Sequence, residues 1–274
     1  MMKKTIFITG ASSGIGKATA LYFQEKGWNV VATMRNTDSG KELAALPNVL
    51  VTTLDVTDSN SIQTAVSNAT STFGTIDVLL NNAGYGMLGT LEATPVKTIR
   101  QQYNVNVIGL LETTQAVLPI MRKQKSGTIV NISSMGGRIA LPLGSVYGAT
   151  KYAVEGISEA LQYELEPLGI NVKIIEPGVI TSNFSKSVAF NDENITDYKV
   201  VVDKIMKTYK GGESNEAFPV SEPITVTKVI DKAIHDTTNQ LRFPAGNDAE
   251  QMLDARAKLS DSEMITMLKE NFGI

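Results

Sequence analysis

Short β-rich apolar runs alternate with longer helical segments through the first two thirds of the chain, and this alternation constrains the fold more than any other feature. Runs at 5–9, 28–34, 49–54, 76–80, 127–132 and 171–176 read as strands. A glycine loop, Gly10–Gly16, follows the first, then a helix to about Lys26 with Gly27 where a C-cap glycine belongs. Further helices are expected near 39–46, from the cap residue Asp58 to about Phe73, from Thr94-Pro95 to about Lys123, and over about 145–165. Parallel neighbours cannot be joined by tight hairpins and need crossovers long enough to hold a helix. The pattern predicts an α/β fold: one doubly wound parallel sheet with helices on both faces.

After Ile180 the rhythm breaks. Residues 181–222 are polar and include Gly211-Gly212, which reads as a functional lid or a disordered stretch. A helix resumes at Pro223 and runs to about Asp236, and 241–243 suits a last short strand. Ser260 and Glu263 have capping-box spacing for a terminal helix, within a C-terminal helical extension at about 247–274. With no linker, repeat or low-complexity tract, residues 1–274 read as one domain.

Composition narrows the function. Of 274 residues none is cysteine and one, His235, is histidine, which excludes thiolate and multi-histidine metal centres; no metal is expected. His235 itself falls in a helix far from every motif and reads as an ordinary residue. Lys and Arg number 25 against 28 Asp and Glu, a formal net charge of -3 that argues against a nucleic-acid partner. No uncharged apolar run is long enough to insert into a membrane. Met1–Gly10 carries two lysines before an apolar run, but the run is too short for an export leader and leads into the glycine loop. A buried first strand and a cytoplasmic location are the expectation.

Thr9-Gly10-Ala11-Ser12-Ser13-Gly14-Ile15-Gly16 lies between the first strand and its helix. Glycine there permits a tight turn, close approach to a pyrophosphate, and close packing of helix on strand. The helix N-terminus presents free N–H groups to phosphate. A Rossmann-like, dinucleotide-binding sheet is therefore expected, with Gly10, Ser12, Ser13, Gly14, Ile15 and Gly16 as cofactor contacts. The second strand ends Ala32-Thr33-Met34-Arg35-Asn36, without the carboxylate that holds the ribose hydroxyls of NAD(H). Arg35 suits the ribose phosphate of NADP(H), which is favoured over NAD(H); the bland alternative is a solvated arginine. Asp55, closing the third strand beside Val56, suits the adenine amino group or, equally, a local cap.

Tyr147 and Lys151 stand four apart and share a helix face, and Ser134 precedes Tyr147 by thirteen residues. With TGASSGIG at 9–16, NNAG at Asn81–Gly84, Asn106 in NVIG, NISS at 131–134 and Pro177-Gly178, the set resembles the short-chain dehydrogenase/reductase family over about residues 3–182. Segments 32–35 and 82–89 look most like its 17β-hydroxysteroid dehydrogenase-like and retinol dehydrogenase-like branch.

The resemblance implies Tyr147 as general acid for carbonyl reduction and base for alcohol oxidation. A free tyrosine titrates near ~10, so a nearby ammonium and the oxidised nicotinamide are expected to favour its phenolate. The resemblance further implies that Lys151 supplies the ammonium and binds the nicotinamide ribose, Ser134 steadies the substrate oxygen, and Asn106 holds a relay water. Asn82, with Ala83 and Gly84, is expected against the cofactor near its ribose; Pro177, Gly178, Ile180 and Thr181 are expected at the carboxamide. Asn81 is read as tying strands together.

Residues 181–222 are where the family carries its substrate lid. Phe184, Val188, Phe190 and Phe218 on one side, and Met87, Met135, Leu141 and Leu143 on the other, suit an apolar pocket or simply lid packing. Either way a small apolar carbonyl or alcohol substrate is expected. A homodimer or homotetramer rests on the resemblance alone. The alternatives are a catalytically silent NADP-binding sensor, disfavoured because Tyr147 and Lys151 are both present, and a nucleotide-sugar epimerase or dehydratase, disfavoured by the glycine spacing.

Overall fold

The computed structural model describes residues 3–181, 189–190, 195–210 and 218–274. Seven parallel strands form the main sheet in the order β3-β2-β1-β4-β6-β7-β9. They are β1 (Thr5–Ile8), β2 (Asn29–Met34), β3 (Val49–Thr53), β4 (Val78–Asn81), β6 (Gly127–Ile132), β7 (Ile170–Pro177) and β9 (Arg242–Ala245). The helices are α1 (Gly14–Glu25), α2 (Lys41–Ala44), α3 (Ser59–Phe73), α4 (Val96–Tyr103), α5 (Gly109–Gln124) and α6 (Ser145–Leu165), then α7 (Lys199–Lys210), α8 (Pro223–His235), α9 (Asn247–Lys258) and α10 (Asp261–Phe272).

Strand side chains alternate between faces, so the sheet sorts its own core. Ile6, Ile8, Val30 and Leu80 pack with Phe23 of α1 and with Val226 and Ile230 of α8. Phe7, Val31, Leu79 and Ile129 face the other way, against Ile62 of α3, Val117 and Met121 of α5, and Leu165 of α6. Burying one such side chain contributes about 1.5–3 kcal/mol, and a one-residue slip would exchange the two sets. A third cluster joins Ile205 of α7, Met252 of α9 and Met264, Leu268 and Phe272 of α10 with Phe218, Met135 and Ile139.

From β1 the chain steps outward to β2 and β3, then returns to place β4 on the other side of β1. The strand order therefore reverses at β1 and β4, where ligands bind beyond the C-terminal strand ends in such sheets. The helix expected from 95 to 123 is interrupted by a π-helical turn, Asn104–Ile108, between α4 and α5. Two short strands not foreseen in the sequence, β5 (Met87–Leu88) and β8 (Ala189–Phe190), pair in parallel as a separate sheet. No helix among the described residues is long and apolar enough to cross a membrane.

Candidate active site

A cleft of about 640 Å³ opens over the C-terminal ends of the strands. Gly10, Ser12, Ser13, Gly14 and Ile15 line it at one end. Gly10 has φ +70°, a left-handed conformation that a side chain would strain. Gly16 does not line the cleft but sits beneath the loop, where an added Cβ would collide with the Gly10 carbonyl and lie 2.7 Å from Asn82 Nδ2. Asn82 Nδ2 donates to the carbonyls of Thr9 and Gly10 at 2.8 and 3.0 Å. Thr9 Oγ1 accepts from the backbone N–H groups of Asn82 and Ala83, each at 2.9 Å. Asn82, Ala83 and Gly84 line the cleft, and Asn82 also ties β4 to the loop.

The N-cap of α1, Ser13, caps no helix N–H with its side chain, and the first turn holds no acid. An anion is thus met by free N–H groups and the positive end of the helix dipole. Arg35, exposed at the end of β2, lines the cleft and makes no hydrogen bond or ion pair among the described residues. Asp55 and Val56 line it further on. Asp55 Oδ1 accepts from the Thr57 backbone N–H at 2.9 Å and its hydroxyl at 2.8 Å, which hold the carboxyl below its usual range. The local-cap reading of Asp55 describes these bonds, and its place in the cleft leaves the adenine reading open.

At the other end α6 presents Tyr147 and Lys151, and β6 delivers Ser134 just beyond its last residue. The Ser134 hydroxyl donates to the Pro177 carbonyl at 3.5 Å and accepts from the Gly136 N–H at 3.0 Å, and it lines the cleft with Tyr147. Lys151 Nζ lies 5.8 Å from the centroid of the Tyr147 ring and donates to the Ile132 carbonyl at 2.8 Å. Burial pushes the Tyr147 phenol up to about 12, opposed by Ser134, and takes Lys151 down to about 8. The lowering of Tyr147 expected from Lys151 is not among the influences on the phenol in the cofactor-free protein; burial prevails.

Asn106 lies in the π turn, 2 % exposed and outside the cleft wall. Its Nδ2 donates to the Tyr85 carbonyl and to Thr150 Oγ1, each at 3.0 Å, and its Oδ1 accepts from the Tyr85 N–H at 3.1 Å. Thr150, inside the Tyr–Lys motif and missed as a site residue, donates in turn to the Tyr147 carbonyl at 2.7 Å. The Asn106 side chain thereby fastens α6 to the strand-end loop. Asn81 ties strands together as read from the sequence: its Nδ2 donates to Asn131 Oδ1 and Thr114 Oγ1, each at 2.9 Å.

Pro177, Gly178 and Ile180 line the cleft; Thr181 is exposed and does not. Asp248 of α9 lies against Gly178, where an added Cβ would overlap its carboxylate, and its Oδ2 accepts from the Val179 N–H at 2.6 Å. Sequence reasoning missed Asp248, since the contact spans 69 residues and no motif carries it.

Of the expected lid residues, Phe184 and Val188 lie outside the described residues, as does the side chain of Phe190. Phe218 is buried against Phe272, with ring centroids 5.5 Å apart, and Met135, Leu141 and Leu143 pack in the same cluster. For these residues the packing alternative describes what is seen. His235 stacks edgewise on Trp28 in α8, away from the cleft.

The family model for short chain dehydrogenases matches residues 4–193. A 3-ketodihydrosphingosine reductase of Bacteroides thetaiotaomicron is 37% identical over 232 residues, covering 84% of each chain. The crystal structure of a short-chain dehydrogenase from Streptomyces avermitilis is 34% identical with a TM-score of 0.82, covering 97% of this chain and 98% of that one. The structure of ElxO with NADP bound is 27% identical with a TM-score of 0.73, covering 89% of this chain and 98% of that one.

Proposed function

The chain belongs to the short-chain dehydrogenase family, an oxidoreductase family working through nicotinamide dinucleotides, and on that premise we propose that it is an NADP(H)-dependent enzyme interconverting an apolar ketone or aldehyde and the corresponding alcohol. The observation that carries this reading is that Ser134, Tyr147 and Lys151 line one end of a single cleft, with Lys151 Nζ 5.8 Å from the Tyr147 ring centroid, whose other end holds the glycine loop.

The residues present fit a dinucleotide. The close contact of Gly16 with Gly10 leaves a backbone cradle that side chains would fill, over an uncapped helix N-terminus. Gly10, Ser12, Ser13, Gly14 and Ile15 would hold the phosphates, Arg35 the ribose phosphate, and Asp55 with Val56 the adenine. Asn82, Ala83, Gly84 and Lys151 would hold the nicotinamide ribose; Pro177, Gly178, Ile180 and Thr181 would hold the carboxamide. When bound, NADP(H) supplies or accepts the hydride.

In reduction Ser134 hydrogen-bonds the carbonyl oxygen and steadies its developing charge. Tyr147 passes its phenolic proton to that oxygen as the carbonyl carbon gains the hydride, and the alcohol leaves. Lys151, as ammonium, favours the resulting phenolate. Asn106 secures α6 and serves the return of a proton through Lys151. The cation at Arg35, the absence of an acid at the end of β2 and the NADP-bound relative support NADP(H). An apolar ketone is supported by the relative that reduces 3-ketodihydrosphingosine, and segments 32–35 and 82–89 support the 17β-hydroxysteroid and retinol dehydrogenase-like branch. A cytoplasmic homodimer or homotetramer completes the proposal.

NADPH and NADH consumption against ketosteroids, retinoid aldehydes, long-chain keto compounds and aromatic carbonyls tests the reading. Tyr147→Phe should cut turnover by roughly 10²–10⁴-fold, the usual range for a lost general acid, while NADPH binding persists. Full activity in that variant would remove Tyr147 from the chemistry.

A further inference from the structure

The turn that follows β7 forms one wall of the cleft, through Gly178 and Ile180, and it is held from outside by the C-terminal third of the chain. The Gly178 N–H donates to the Ala245 carbonyl of β9 at 3.1 Å. The Val179 carbonyl accepts from the Ser221 N–H at 2.9 Å, and the Thr181 N–H donates to the Ser221 carbonyl at 2.8 Å. Ile180 and Ser221 thus form an isolated parallel bridge, in which Ile180 turns its own N–H and carbonyl to the opposite side. One further bond on the turn comes from a side chain: Asp248 Oδ2 accepts from the Val179 N–H at 2.6 Å. The Val179 side chain is exposed, so this position contributes its backbone rather than packing. One residue before Gly178, the Pro177 carbonyl lies 3.5 Å from the Ser134 hydroxyl, so the same segment meets a residue of the proposed reaction directly.

Asp248 has a seat shaped to it. The residue is fully buried in the first turn of α9, where the positive end of the helix dipole sustains a carboxylate. Glycines enclose it from the ends of two strands. A Cβ at Gly178 would overlap the carboxylate, and one at Gly246, where φ is +114°, would stand 2.9 Å from Oδ1. Burial pushes the carboxyl up, opposed by the N–H groups of Val179, of Ala249 and of Asp248 itself. Packing alone would be served by an uncharged residue, since enclosing a carboxylate carries a desolvation penalty. The short bond to Val179 is what the acid adds: it joins α9 to the backbone of the cleft wall.

We propose that Asp248 is a positioning residue for the nicotinamide end of the cofactor: by fixing Val179 from behind, it sets where Ile180 meets the cleft, and it leaves the adenosine end untouched. The inference rests on the dinucleotide reading of the cleft. It makes the helical C-terminal extension part of the cofactor site, beyond the reach of the N-terminal motifs.

The test compares two ligands on the full-length protein: NADPH, and 2′-phospho-ADP-ribose, which is the same molecule without its nicotinamide. Calorimetry gives both affinities. The anisotropy of the reduced nicotinamide's own fluorescence, with NADPH saturated by protein, shows whether that ring is held. In the wild type both ligands should bind and the ring should be immobilised. Asp248→Ala should lose most of the nicotinamide anisotropy, while 2′-phospho-ADP-ribose keeps its affinity within about twofold. Asp248→Asn, whose amide oxygen can still accept from the Val179 N–H, should restore the anisotropy. A nicotinamide held as firmly in Asp248→Ala as in the wild type overturns the proposal, and so does an equal loss of both ligands, the mark of a merely structural acid. Should Asp248→Ala fail to fold, Asp248→Ser, one bond too short for Val179, decides in its place. A wild type that binds neither ligand would overturn the dinucleotide reading itself, and the proposal with it. No turnover is needed, so this result stands apart from the Tyr147→Phe assay.

Discussion

Burial acts on Tyr147 and Lys151 in opposite directions because it penalises charge whatever its sign. The phenol keeps its proton, the form that the proposed reduction would require. Glu176 shows the cost of the same environment. Its folded-state pKa, about 7, lies above the ordinary 4.5, so its contribution to stability is full below about 4.5 and is lost as the pH rises through about 7. Glu176→Gln should therefore melt higher than the wild type above that range, by at most ~3 kcal/mol from the size of the shift, with the gap closing in acid. Thermal denaturation across pH reads this directly. At the opposite end of the cleft, Arg35→Ala should weaken NADPH by about 10–100-fold, the worth of a charge-assisted contact, and leave NADH nearly unchanged. Equal losses in a binding titration would dissociate Arg35 from cofactor choice. Tyr147 and Lys151 were legible because a helix converts four-residue spacing into adjacency. Glu176 and Asp248 were not, because their partners Arg138 and Val179 lie tens of residues away and on other elements.

Among the elements, local chemistry was the most readable. Strand β6 and helix α6 span the residues expected, Asp58 caps α3 through the N–H groups of Asn60 and Ser61, and Ser260 with Glu263 forms the capping box of α10. The π turn at Asn104–Ile108 was hidden, since its sequence continues a helix without interruption and only the tertiary bonds of Asn106 single it out. Helix α7 and the β5–β8 pair were also missed, because a polar stretch with glycines suppresses the periodic signal. The junction of β1 and α1 yields a further expectation. Gly16→Ala would drive a methyl into the Gly10 carbonyl, a backbone atom that yields only by reshaping the loop. The change should cost about 1–3 kcal/mol of stability and weaken NADPH at least as much as it weakens NADH. Undiminished binding would show that the close packing of Gly16 does not shape the loop.

At the scale of the whole molecule the sheet was foreseeable and its closing cluster was not. Reversal of strand order at β1 and β4 places the cleft where any chain of this topology would have it. The apolar cluster of α7, α9 and α10 is particular to the C-terminal third, and Phe272 touches both Phe218 and Tyr209. Phe272→Ala should cost ~3–5 kcal/mol, as emptying a buried aromatic site does. Because Tyr209 donates to the Pro142 carbonyl, in the segment between Ser134 and the helix that carries Tyr147, KM for substrate should rise more than the NADPH dissociation constant. Steady-state kinetics beside a cofactor titration would separate the two.

The contact between Gly178 and Asp248 bears on descent as well as on catalysis. The acid fills the space a side chain at 178 would need, while its Oδ2 holds the next backbone N–H in place. Position 178 is not free to drift alone: a lineage that acquires a side chain there must first have given up the acid at 248, and with it the tether on Val179. Across an alignment of descendants a side chain at 178 should never stand with the acid at 248, although the two positions are 70 apart in the chain.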